Sequence, residues 1–458
     1  MKKYLIIGGS FLVAGLFLTN YIFSAVPDAN WKKELQTFND AYTKAKTQTE
    51  KAVAIRKIAG VDYPDIVKVL IGTVLPRELK ENELLNIDIV ASYLSELSDP
   101  AAINELIAST KKANPPDKII LIQSLAKIST DPAKTLLLEL LKNNDNAIKI
   151  AAIDALTESS PPEALDVITR CLDSKSWEVK VSAIYYLANV KDEETRQKVL
   201  TILRKKLNTE TGRIKNDLAD AINKLLQASG QSSDENAPKK ENTISFFDIP
   251  LEGDVIFVID VSASMVGKNE EGVTRWDKLV EQIKKSIEMM AKAKPPVKFN
   301  IIAYAERVGK FQNGLVPVAD NKDTALKWLD TVKPVSMMAP SKLGAYTNIY
   351  DAVETALVSP NATPEGQKFV FTSGAPNAYT ICLMTDGSAN RGKYTVGNDI
   401  LVALRILNQT RKIRINTIAL DLGVAKAQSA IGMGQMYAVD TALMEQIAKD
   451  HNGTLITP

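Results

Sequence analysis

Asp260, Ser262 and Ser264 end the stretch Val255-Ile-Phe-Val-Ile-Asp260-Val-Ser-Ala-Ser-Met265 with three oxygen-bearing side chains at alternate positions. The run before them is apolar, β-branched and of strand length, the pattern of a strand buried on both faces of a parallel sheet. In open α/β sheets the crevice beyond the carboxyl ends of the strands is where ligands gather. A carboxylate and two hydroxyls presented there suit a hard cation such as Mg²⁺, which favours oxygen donors and keeps some water. Two further fragments carry compatible groups. Gly344-Ala-Tyr-Thr347-Asn-Ile-Tyr350 puts a threonine in a glycine-containing loop just before an apolar-periodic helix, and Ile381-Cys-Leu-Met-Thr385-Asp386-Gly387 is a second apolar strand ending in Asp-Gly. Each fragment alone is ordinary, since Ser and Thr cap helices and Asp-Gly makes turns.

Taken together and in this order, the fragments resemble the von Willebrand factor type A domain and its metal-ion-dependent adhesion site. The resemblance runs from about Asp248 to Pro458. It takes in Phe299–Tyr304 as the next strand, Ile413–Leu420 as a late strand, and Ile447–Ile456 as a final helix, turn and strand. It implies an α/β doubly wound, Rossmann-like domain with a mostly parallel central sheet, in which the first strand lies centrally and its tip meets the Thr347 and Asp386 loops. It also implies a ligand set. Ser262, Ser264 and Thr347 would offer hydroxyl oxygens to Mg²⁺ (with Mn²⁺ or Ca²⁺ as alternatives), and Asp260 and Asp386 would act directly or through water. At most two carboxylates then balance the ion. It keeps electrophilic character and one exchangeable position, which in this family a partner protein's Glu or Asp fills.

Elements around these fragments can also be read. Leu279, Ile283 and Ile287 recur on one face of a helix that follows the insert Gly267–Thr274. Two long stretches, 359–380 and 424–440, depart from the family pattern. Each is either a partner-reading loop or a surface excursion without function. The chain has a single histidine, His451, in a helix-ending Asp450-His-Asn-Gly453 context. A Ser-His hydrolytic pair therefore depends on His451 reaching the strand tip. Cys171 and Cys382 fall in apolar patterns of different domains and read as buried small hydrophobes, with no disulfide between them.

At 458 residues the chain is long enough for several domains. A net charge of +2 gives no case for nucleic acid as partner. Met1-Lys-Lys3 followed by the uncharged, largely apolar run Tyr4–Val26 reads as a signal peptide or an N-terminal membrane anchor, with the body on the extracytoplasmic side. Between Leu85 and Leu226 a period appears, marked by Leu94, Leu125, Leu156 and Leu187 and in step by Ile122, Ile153 and Ile184. Each unit holds two amphipathic patterns separated by Asp, Pro or Ser breaks. A single helix pair cannot bury its own apolar face, so a fixed period of pairs predicts a stacked α-solenoid. The units resemble short HEAT-like repeats, a label that implies no catalytic activity. The segment 229–245 is nearly devoid of apolar residues at its centre and reads as a flexible linker.

The expected organisation is multidomain. A signal peptide or anchor occupies 1–26, an all-α HEAT-like solenoid 27–228, a linker 229–245 and the type A domain 246–458. The expected function is non-enzymatic, metal-dependent protein binding or adhesion in an exported protein, with the solenoid as scaffold or second binding surface. The alternatives are a metal-dependent hydrolase using the same residues and a site whose metal only stabilises the fold.

Overall fold

The computed structural model describes residues 31–59, 62–231, 244–251, 253–268, 272–294, 296–334, 341–358, 378–420 and 440–458. The apolar segment 4–26, the centre of the expected linker and most of the 359–380 and 424–440 stretches lie outside them. Among the described residues, no helix is long and apolar enough to cross a membrane.

The first half is helical. Helices α1 (Trp31–Lys44), α2 (Gln48–Ala59), α3 (Pro64–Val69) and α4 (Leu75–Glu81) lead into α5 (Leu84–Ser95), α6 (Pro100–Lys112), α7 (Pro115–Lys127), α8 (Asp131–Leu140), α9 (Asn146–Thr157), α10 (Pro162–Cys171), α11 (Trp177–Leu187), α12 (Glu193–Leu207) and α13 (Gly212–Ala228). The breaks in the repeat are cap signals. Asp99, Asn114, Asp145, Ser176 and Asp192 each accept a hydrogen bond from a first-turn amide, and Pro100, Pro115 and Pro162 occupy the first helical turn, where a missing N–H costs nothing. The periodic leucines and isoleucines all fall on α5, α7, α9 and α11. These helices stack side by side into one continuous row, with α13 at its end. The helices between them, α6, α8, α10 and α12, form the outer layer.

The row helices are buried around most of their circumference. Ala147, Ile148, Ile150, Ala151, Ala152, Ile153, Ala155 and Leu156 of α9 are all buried. A helix apolar all round needs cover on two sides. The outer helices cover one side and the second domain covers the other.

That domain is an open sheet with strand order β5-β4-β3-β7-β8-β9. Strand β3 (Asp254–Asp260) is central, parallel to β4 (Lys298–Tyr304) on one side and to β7 (Tyr379–Thr385) on the other. Beyond β7 lie β8 (Arg414–Ala419) and β9 (Leu455–Ile456), also parallel. Short antiparallel strands β5 (Val308–Lys310) and β6 (Val316–Pro317) flank β4, and a small hairpin of β1 (Ser245–Phe246) and β2 (Ile249–Pro250) precedes the sheet. Alternate residues of β3 serve two cores. Val255, Phe257 and Ile259 pack with the hairpin, α14 (Arg275–Ala291) and α15 (Val318–Val332). Ile256 and Val258 face α16 (Ile349–Val358), α17 (Gly397–Asn408) and α18 (Thr441–Asp450), and this core runs without interruption into the solenoid.

Polar pairs rim the junction between the two halves. Lys412 bonds Asp154 of α9, Arg414 bonds Asp217 of α13, and Lys393 bonds the Asn82 carbonyl and lies 3.8 Å from Glu83. The solenoid is therefore seated on one face of the sheet domain.

Candidate metal site at the tip of the central strand

Asp260 is the last residue of β3 and fully buried. Its Oδ1 accepts a hydrogen bond from the Ser262 amide at 2.7 Å, and its Oδ2 accepts one from Thr385 Oγ1 at 2.7 Å. The chain then turns into the short 3₁₀ segment Ala263–Val266. This places Ser262 Oγ and Ser264 Oγ 3.0 Å apart, and Ser264 Oγ donates to Asp386 Oδ1 at 2.7 Å. The parallel register of β3 and β7, with Ile259 opposite Met384, is what brings the two strand tips and their aspartates together.

Thr347 enters from the loop before α16. Its amide is held by Asn390 Oδ1 at 2.8 Å, and its carbonyl accepts from the Asn390 and Arg391 amides. Its hydroxyl sits over Gly387, where an added Cβ would lie 3.5 Å from Thr347 Oγ1. The Ala345 carbonyl accepts from the Ala263 amide, which ties this loop to the Ser262–Ser264 turn. All five residues expected from the sequence thus gather at one place, and all but Ser264 are buried.

Three contributors were not read from the sequence. Thr385 orients Asp260. Asn390 fixes Thr347. The third is Arg275, the first residue of α14, whose capping box of Thr274 and Asp277 sets where the helix begins. Its Nε donates to the Leu420 carbonyl at 3.1 Å and its Nη1 to the Ser264 carbonyl at 3.1 Å. Nη1 also lies 3.2 Å from Asp386 Oδ2. An arginine one residue after an N-cap reads as an exposed helix start. Only the fold reveals that it turns inward.

The electrostatics are those of a site short of positive charge. Burial raises the Asp260 carboxyl above the usual carboxylate range, against hydrogen bonds from Ser262 and Thr385. Burial and the adjacent Asp260 push the Asp386 carboxyl up to about 7, although Arg275 and Ser264 pull the other way. Asp386 Oδ2 is buried and receives no well-aligned hydrogen bond despite the nearby guanidinium. Three hydroxyls and two carboxylates, one of them with an oxygen that lacks a well-aligned donor, fit a small divalent cation. Among the described residues no group of three or more His, Cys, Asp or Glu side chains is arranged to hold one, so hydroxyls dominate the donor set.

His451 is not part of this constellation. It is buried at the end of α18, its Nδ1 pairs with Asn408 Nδ2 at 3.0 Å, and its carbonyl accepts from Ile415 near the start of β8. The aspartates and serines lie at the opposite, carboxyl ends of the strands. Burial lowers its pKa to about 4, which keeps the ring neutral. Cys171 and Cys382 are buried free thiols, as their apolar surroundings in the sequence suggest.

Residues 133–223 match the model of HEAT repeats, and residues 255–388 match that of the von Willebrand factor type A domain. The chain joins HEAT repeats to a von Willebrand factor type A domain. No curated protein matches it. Among solved structures it is similar to the PilB minor pilin from Streptococcus sanguinis, at 13% identity and a TM-score of 0.32, with 46% of this chain and 58% of the pilin covered. It is also similar to the conserved hypothetical protein BatB from Bacteroides thetaiotaomicron, at 16% identity and a TM-score of 0.30, covering 45% of this chain and 90% of the other. An aerotolerance-related membrane protein from Bacteroides fragilis aligns at 17% identity and a TM-score of 0.30, covering 45% and 91%. The chain spans little more than half of the pilin's length. The type A domain, here carried on helical repeats, is an interaction module by class.

Proposed function

We propose that the type A domain binds a partner protein through a divalent cation, with Mg²⁺ the ion of choice and Mn²⁺ or Ca²⁺ as alternatives. One observation carries this reading: Asp260, Ser262, Ser264, Thr347 and Asp386 converge where β3 and β7 end side by side. These side chains would hold the ion, and hydroxyl ligands leave it short of negative charge. A Glu or Asp carboxylate of the partner would complete the coordination and so join the two proteins. The solenoid, seated on the α16–α18 face, leaves the strand tips to the partner and acts as scaffold. The apolar segment 4–26 would tether or export the chain, so that binding takes place outside the cytoplasm.

The test is capture of partners on the immobilised full chain, in Mg²⁺ and in EDTA, beside Asp260→Ala. Proteins retained in Mg²⁺ and lost both in EDTA and with Asp260→Ala are the expected result. Retention unaffected by either change contradicts the proposal.

A further inference from the structure

We propose that Arg275 is a resident counter-cation of the site, one that makes binding of the divalent ion and binding of a partner carboxylate depend on each other. This rests on the metal-bridge reading above and goes beyond it, because Arg275 is not one of the coordinating side chains.

The guanidinium is buried, and its position is set by backbone. The Leu420 carbonyl holds Nε and the Ser264 carbonyl holds Nη1, each at 3.1 Å, before Asp386 is considered. Gly267 makes room for it, since a Cβ at that position would meet Nη1. An arginine stays protonated at any working pH, so this is a permanent charge. It stands 3.2 Å from Asp386 Oδ2, the carboxylate oxygen that lacks a well-aligned donor. The group best placed to meet an incoming cation therefore already has a cation beside it.

The charge balance follows. With both carboxylates deprotonated, as a bound cation requires, the pair against one guanidinium leaves a single net negative charge. A divalent ion turns that into a single net positive charge in surroundings where charges interact strongly. Arg275 thus weakens the bare ion's hold and strengthens the loaded site's attraction for an anion. A carboxylate that neutralises the loaded site must then tighten the ion, and by linkage the ion tightens the carboxylate to the same degree. Without Arg275 the loaded site would be neutral. The ion would bind well alone and gain little from the anion.

The experiment is calorimetric titration of MgCl₂ and MnCl₂ into the full chain, with and without saturating acetate, for wild type, Arg275→Met, Arg275→Gln and Arg275→Lys. Thermal melting of each metal-free protein is recorded alongside. For wild type, acetate should tighten the metal several-fold. The two neutral variants should bind the metal about tenfold or more tighter without acetate and lose the acetate effect. Arg275→Lys keeps the charge but not the paired carbonyl bonds, and it should behave as wild type. If the arginine were only a structural tie, Lys, Met and Gln variants would lose metal affinity together, which overturns the proposal. So does wild-type affinity indifferent to acetate, a result that needs no variant to fold. Metal binding without that coupling removes only the role of Arg275. A wild type that binds neither ion in either condition removes the metal-bridge reading and this proposal with it.

Discussion

Asp260 and Asp386 are two acids held where water cannot neutralise them, and that has a thermodynamic signature. Their raised pKa values mean that the metal-free fold favours the protonated forms more than the unfolded chain does. The associated stability is present at low pH and is lost as pH rises through the folded-state value of about 7 for Asp386. A bound cation needs the deprotonated carboxylates and removes that loss. Saturating Mg²⁺ should therefore raise the melting temperature more at about pH 8 than at about pH 5.5, as thermal melts at the two pH values would show. An equal shift at both would mean that these carboxylates are not the groups the ion engages. Of the site's residues, Asp260, Ser262, Ser264, Thr347 and Asp386 were legible in the sequence only as a set, because each fragment alone is an ordinary cap or turn and their order along the chain is what joins them. Arg275 and Asn390 were not, because each acts across a distance that only the fold closes. Arg275 reaches the ends of two strands, and Asn390 sits on the loop after β7 but serves the loop before α16.

At the scale of elements, the strand register and the loop after β7 place the five candidate residues. Gly392 shows how tightly that loop is laid against the Thr347 loop. It has a φ of 101°, a region unfavourable to other residues, and a Cβ there would run into the Asn348 amide. Gly392→Ala should displace Asn348 and its neighbour Thr347, weakening the metal by about tenfold while every coordinating side chain remains, on the order of 1–3 kcal/mol of strain being available. Isothermal calorimetry would check it, and unchanged affinity would show that the Thr347 loop is not held by this contact. The repeats were legible because their periodic Leu and Ile are the residues that stack α5, α7, α9 and α11, and because the breaks between them are capping residues. Apolar residues around most of the circumference of those helices were the sequence's one hint of a second neighbour. It is easily read as ordinary solenoid core.

At the scale of the molecule, the two halves share a core, and the charged pairs at its edge are well placed to register one against the other. Lys412, Arg414 and Lys393 look like solvated surface charges in the sequence, and nothing in their spacing points to Asp154, Asp217 or Glu83. Asp217 is the most buried of these partners and is shared between Arg213 of its own helix and Arg414 of the sheet domain. Asp217→Ala leaves two guanidinium groups without their carboxylate and should cost about 3–5 kcal/mol. Wild type should unfold in one calorimetric transition with both halves melting together, and Asp217→Ala should split or broaden it. Two separate transitions in wild type would mean that the halves are stabilised independently and that the shared core contributes little.

A divalent cation held at the tip of β3 is what the proposed function requires. Its most direct test is calorimetric titration of Mg²⁺ and Mn²⁺ into the full chain beside Asp260→Ala. One saturable site in wild type and none in the variant, with the variant folded by circular dichroism, is the expected result. Binding of equal strength in both, or in neither, would contradict it and reduce the five converging residues to caps and turns.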